Sequence, residues 1–329
     1  MRTFSFSASR RTTLVKLLGV AFAGTAGRQA FAQAGGPLRF IIASTPGTGP
    51  DTMARLLQPQ LQARWQRPVV VENKAGAGGV IGIDAVAKAT PDGTTLMLQT
   101  STMFLLPHFY KQIPFDPLKN FQPITQVGWS TFALVVNNDV PAKNIQELVA
   151  WLKEMNGRVS YGSPGKGTEN HLFAELFRQQ TGVEMTHVPY RGAANAIQDL
   201  IGGQVSLMFL PIATAHVHAK TGRIRILACT SKERFPLMKD IPSLHEQGVT
   251  GFDYSVWYGV YAPAGLAPEL VNKYREDLHA VLNSREIVAK FAEQGWSVKT
   301  GSTPELDALG KMQSAKWREV IAQTKVETE

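Results

Sequence analysis

Short β-branched runs alternate with helical patterns along most of this chain, and that alternation restricts it to the α/β class. Residues 38–43 read as a buried strand, followed by a Gly/Pro loop and a helix over 52–65. A second strand over 69–72, a glycine-rich turn over 74–79, a helix over 80–88 and a third strand over 95–99 complete the first block. Strand–helix–strand order of this kind implies parallel pairing with right-handed crossovers.

A second block opens near Val140-Pro141. Asn144 with Glu147 three residues on is a capping box, starting a helix that runs to about Met155. Strands are expected over 159–162, 185–188, 205–209 and 224–229, with helical segments between them. The run 257–261 then leads into a break at Ala262-Pro263-Ala264-Gly265. Helices alone follow, over 269–282, 287–294 and from Glu305 onward, with Ser284 and Thr303 as N-caps and Pro304 at a first helical position. These last helices have no sheet of their own, so they are expected to pack back on the first lobe. The expected division is a leader over 1–34, a first lobe of 35–138 with 262–329, and a second lobe of 139–261. Two crossings, near 137–141 and 258–263, form a hinge, and two lobes on a hinge form a clamp.

The first 34 residues read as an export signal. Arg2, Arg10, Arg11 and Lys16 precede an apolar stretch from Leu17 to Ala26, too short for a bilayer, and small residues follow at cleavage spacing up to Ala34. Ser9-Arg10-Arg11 with Leu14 and Lys16 resembles a twin-arginine signal, but Thr13 stands where that pattern usually has Phe, so both export routes stay open. Five basic residues and no acidic ones lie in this segment, so the formal +8 of the full chain falls to +3 on the rest. No Lys/Arg run then remains to argue for nucleic acid. The single cysteine, Cys229, cannot form an internal disulfide and sits in a strand-like run, where a buried structural thiol is expected.

Two loops carry the functional signal, Ser44-Thr45-Pro46-Gly47-Thr48-Gly49-Pro50-Asp51 and Ser163-Pro164-Gly165-Lys166-Gly167-Thr168. Each lies between a strand and a helix, where parallel sheets bind ligands. Glycines let backbone N–H groups approach a ligand, and the helix N-terminus behind favours an anion. Thr45, Thr48, Ser163 and Thr168 add hydroxyls. Neither loop fits a nucleotide motif: Lys166 is followed by Gly167, not Ser or Thr, and the Gly76–Gly82 run places its last glycine one residue late for a dinucleotide fingerprint. Ser163 lacks the elbow spacing of a hydrolase nucleophile, and His216 and His218 fall on different helix faces. His171 is placed to help fix the second loop. No metal or cofactor pattern appears, and no enzyme is expected.

At these residues the chain resembles the Bug family of periplasmic receptors, which serve tripartite tricarboxylate transporters. The marks are Val70-Val71-Glu72-Asn73-Lys74-Ala75-Gly76-Ala77-Gly78-Gly79, Ala89-Thr90-Pro91-Asp92-Gly93 and His187-Val188-Pro189-Tyr190-Arg191-Gly192. Further marks are Asp199-Leu200-Ile201-Gly202-Gly203-Gln204-Val205 and Trp257-Tyr258-Gly259. The resemblance implies a two-lobed type II periplasmic-binding fold, a Venus flytrap with a two-strand hinge, and a small carboxylate as ligand. It places the grip on Thr45, Gly47, Thr48 and Asp51, and on Ser163, Gly165, Gly167 and Thr168. The 189–192 turn with Arg191, and the helix start with Asn195, line the cleft by the same resemblance.

Two departures matter. The first loop has Pro-Gly-Thr-Gly-Pro-Asp where the family usually shows Pro-Gly-Gly and a hydroxyl, and Leu210-Pro211 follow Phe209 where an Asp is frequent. The second leans away from amino-acid ligands. The resulting expectation is a periplasmic, monomeric solute-binding protein that captures a small organic carboxylate, a dicarboxylate first. Its partners are then transporter subunits and not nucleic acid. Phe104, Trp129, Phe209, Trp257 and Tyr258 leave an aromatic acid open, although such residues usually belong to a core. The alternatives are an exported hydrolase or lyase using Ser163, and a receptor feeding a membrane sensor.

Overall fold

The computed structural model describes residues 36–324 and Val326; the expected leader lies outside the described residues. Alternating strands and helices appear in the order the sequence suggests. They run β1 (Leu38–Ile42), α1 (Gly49–Trp65), β2 (Val69–Asn73), α2 (Val80–Ala87) and β3 (Thr95–Thr100), then a 3-10 turn (Ser101–Phe104) and α3 (Leu106–Phe109). The middle of the chain holds β4 (Phe121–Asn137), α4 (Ile145–Met155), β5 (Ser160–Ser163), α5 (Glu169–Thr181), β6 (Thr186–Pro189), α6 (Ala193–Ile201), β7 (Leu207–Pro211), α7 (Ile212–Lys220) and β8 (Ile224–Cys229). It ends with β9 (Ser255–Pro263), α8 (Pro268–Leu282), α9 (Arg285–Glu293), β10 (Ser297–Val298) and α10 (Thr303–Thr324).

The element that joins the halves is β4, for which the sequence reading had no counterpart. It is 17 residues long, and it belongs to two sheets in turn. Through Thr131 it pairs antiparallel with β9, and from Phe132 it pairs antiparallel with β7 and β8. The first sheet therefore runs β2-β1-β3-β9-β4, with β10 on the far side of β4, and β1 pairs parallel with both β2 and β3. The second runs β8-β4-β7-β5-β6, with β5 parallel to β6 and β7. The change of sheet at Thr131/Phe132 comes earlier than the crossing anticipated at 137–141. The returning crossing also lies earlier, between Thr230 and Ser255, just ahead of β9. Buried hydroxyls brace this junction. Thr230 Oγ1 lies 3.0 Å from Thr131 Oγ1, accepts from Phe132 N at 3.1 Å and donates to the Tyr254 carbonyl at 2.7 Å.

Helices α8 and α9 pack on the first lobe, against β4 and α1. The last helix does more. Gly310 of α10 lies against Phe104, and His108 Nε2 lies 2.9 Å from Ser314 Oγ, both contacts to the first lobe. Seven residues beyond Gly310, Trp317 is 1% exposed and packs its ring on Phe173 of α5 and on Tyr254. The helix thus spans both lobes, whereas the whole segment from 262 was expected on the first. Its N-cap also differs from the expected Thr303. Ser302 Oγ accepts from Glu305 N while Glu305 accepts from Ser302 N, and Thr303 donates to the Ile124 carbonyl instead. The caps at Asn144 and Ser284 stand as expected, each accepting an amide three residues on.

Candidate ligand cleft

Both glycine loops lie at the carboxyl ends of strands, the first after β1 and the second after β5. Loop 1 is held by a buried acid. Asp51 in the first turn of α1 accepts from Gly47 N at 2.9 Å, from Asn73 Nδ2 at 3.0 Å and from Arg55, and Asn73 also donates to the Ser44 carbonyl. Burial pushes the Asp51 carboxyl up, but these hydrogen bonds outweigh it and leave it below its ordinary value. Asp51 is therefore a strut for the loop, and Asn73, at the head of the 73–79 motif, is its partner. Thr48 Oγ1 lies 2.6 Å from Ser44 Oγ and donates to the Thr45 carbonyl.

Behind loop 1 is a cavity of about 170 Å³ lined by Ser44, Thr48, Gly78, Gln99, Thr100 and Thr102, with Met103 and Leu106 on the apolar side. Among the described residues, no charged side chain lines it. Gly78 comes from the glycine-rich turn, with a positive φ of 62° and the Tyr110 hydroxyl 3.1 Å from where a Cβ would stand. Neighbouring Ser101 is fully buried, and its hydroxyl has no partner among the described residues. Thr48 is the residue of the expected site that lines this cavity. Gly78, Gln99, Thr100 and Thr102 were not anticipated, since three polar residues at a strand end look like any strand terminus.

Loop 2 is built on a histidine pair. Ser163 is fully buried, with its hydroxyl 3.0 Å from the Gly165 carbonyl and 2.7 Å from His187 Nε2. Gly167 N donates to His171 Nδ1 at 3.1 Å, which is the loop-fixing role read from the sequence. The two imidazoles stack with centroids 4.0 Å apart, and Tyr161 stacks on His187 at 4.8 Å. Burial, with Lys166 nearby, pushes both imidazoles down to about 4, so both are neutral near pH 7. Thr168 caps α5 by accepting from His171 N and donates to the Gly165 carbonyl. The 189–192 turn is strapped to this loop, with Tyr190 N donating to the Ser163 carbonyl and Gly192 N to the Pro164 carbonyl. Arg191 and Asn195 are exposed and do not line the cavity behind loop 1.

The lobes meet at these loops. A Cβ on Gly167 would lie 2.1 Å from Phe109 Cζ, so the second loop rests on a first-lobe ring. Glu169 of α5 faces the Thr102 hydroxyl, and Tyr258 of β9 stands between the lobes beside Gly49, Trp296 and Glu169. Of the five aromatics considered for a ligand ring, Tyr258 is the one beside loop 1. Phe104 and Trp257 pack on each other, Trp129 on Phe235, and Phe209 lies within the second lobe's core.

Two α/β lobes joined through shared strands, with strand-end glycine loops facing each other, are the architecture of periplasmic solute-binding proteins. The sequence model of the tripartite tricarboxylate transporter family receptor matches residues 53–326, and the chain belongs to that family. It is 32% identical to BugT of Bordetella pertussis over 323 residues, 95% of this chain and 98% of BugT. Among solved structures, the periplasmic binding protein BugD superposes with a TM-score of 0.77 at 31% identity, covering 90% of this chain and 100% of BugD. Rpa4515 of R. palustris, solved with adipate, superposes with a TM-score of 0.80 at 28% identity, covering 90% of this chain and 99% of that one.

Proposed function

We propose that this protein is a monomeric periplasmic receptor that closes its cleft on a small aliphatic dicarboxylate and delivers it to the membrane subunits of a tripartite tricarboxylate transporter. The observation that carries this reading is the cavity behind loop 1. Among the described residues its polar lining is hydroxyls, a carboxamide and strand-end backbone, without a cation or an acid. An anion held by neutral donors gains charge-assisted hydrogen bonds and can still be released, since no fixed counter-charge must be left unpaired. Adipate in Rpa4515 sets the class of acid to try first. Among the described residues, no helix is long and apolar enough to cross a bilayer.

Ser163 and His187 invite comparison with a hydrolase, since nucleophile and base stand at hydrogen-bonding distance. Full burial of Ser163 and its engagement with the Gly165 carbonyl support a structural role for the hydroxyl. The reading is tested by calorimetric titration with a series of dicarboxylates from succinate to suberate, with aromatic acids, and with the dimethyl esters. One aliphatic diacid should bind, and its diester should not, because the donors lose their charged acceptor. Equal binding of acid and ester, or binding of none of the acids, would overturn it.

A further inference from the structure

Four carboxylic side chains are buried among the described residues: Asp51, Glu169, Glu175 and Asp277. Three have cations. Asp51 pairs with Arg55, Glu175 with Arg178, and Asp277 with Arg64 and Lys273. Glu169 pairs with no cation among the described residues. It is the first residue of α5, directly after loop 2, and it faces Thr102, which lines the cavity of the opposite lobe. The groups around it are few. Thr102 comes from the turn after β3 and Tyr258 from β9. On its own segment, Lys166 lies beside the His171–His187 pair, and across the cleft Asp51 is tied to Arg55.

We propose that Glu169 is the residue through which the second lobe reads its ligand: an uncharged carboxylic acid that donates a hydrogen bond to the captured anion, so that capture takes up a proton. This rests on the cleft being the carboxylate site. An ionised carboxylate buried without a cation is costly, and the group avoids that cost by holding its proton. Burial accordingly pushes the Glu169 carboxyl up to about 7. In the ionised form it is an acceptor only and repels an incoming anion; in the acid form it offers an O–H donor. The proton comes from solvent and stays on Glu169 in the complex. A second carboxylate on the ligand draws it more firmly still, because like charges at close range cannot both be carried.

The closing experiment has two readouts. In protein labelled with ¹³C at glutamate side-chain carboxyls, NMR titration should show one resonance titrating near neutral pH without adipate and at higher pH with it, absent in Glu169→Gln. If no carboxyl titrates near neutral pH in the ligand-free protein, the proposal is wrong. Calorimetry with adipate in two buffers of different ionisation enthalpy should show proton uptake at pH 7.5 by the native protein and none by Glu169→Gln. The native affinity should fall towards about tenfold per pH unit above neutrality, while that of Glu169→Gln stays flat. Equal uptake by both proteins, or none by the native one, overturns the proposal. Should neither protein bind adipate, the proposed ligand class has failed, and the NMR titration of the ligand-free protein decides for Glu169.

Discussion

Gly167 lets the second loop rest on the Phe109 ring by having no side chain. Its φ is +72°, and the Phe109 ring occupies the space a Cβ would need. Gly167→Ala carries a left-handed backbone cost of about 1 kcal/mol, and the overlap with a buried ring adds about 1–3 kcal/mol. Separating the lobes removes the overlap and leaves each lobe intact, so the substitution should favour the open form. Small-angle scattering should show a larger radius of gyration than for the native protein. Gly47→Ala is the control, since its φ of +82° is strained but nothing lies within 4 Å of the added carbon. An unchanged radius for Gly167→Ala would mean that the contact with Phe109 is not what sets closure. At this scale the sequence marked Gly167 as a backbone position but could not reveal the ring it touches, 58 residues away. Ser163 was equally legible as a loop hydroxyl, and equally opaque in its use: the partner is His187, supplied by the neighbouring strand β6.

The elements read from the sequence are those with one clear signal, such as a cap, a glycine turn or an unbroken apolar run. Strand β4 has mixed signals. Pro123 and Gly128 interrupt its first half, where the pairing with β9 shifts register twice, and both count against a strand in local terms. Pairing on both sides overrides them. Loop 2 is an element of a different kind, since its shape depends on two neutral imidazoles. Their folded pKa values lie below the ordinary 6.5, so the unfolded chain binds more protons as the pH falls. The stability they contribute is present above pH 6.5 and is lost as the pH falls towards about 4. Thermal midpoints should therefore drop over that window in the native protein, and less in His187→Gln, whose carboxamide does not titrate. Parallel curves for the two proteins would show that the pair is not a source of acid sensitivity.

Among the described residues, three segments rather than two pass between the lobes: β4, the segment leading into β9, and α10. Trp317 anchors the third on Phe173 and Tyr254. Trp317→Ala removes one of the largest fully buried side chains and should cost about 3–5 kcal/mol in urea unfolding. Hydrogen exchange should rise over residues 311–324 and not in α8; a uniform rise would show that the helix is not anchored locally. The third crossing bears on time as well as on energy. Two strands alone would let the lobes swing like a door, whereas a helix packed on both lobes must shift when they separate. Shifts of packed helices belong to the microsecond-to-millisecond class. The dwell time of a cargo should then depend on the tail of the chain as well as on the loops proposed to grip it.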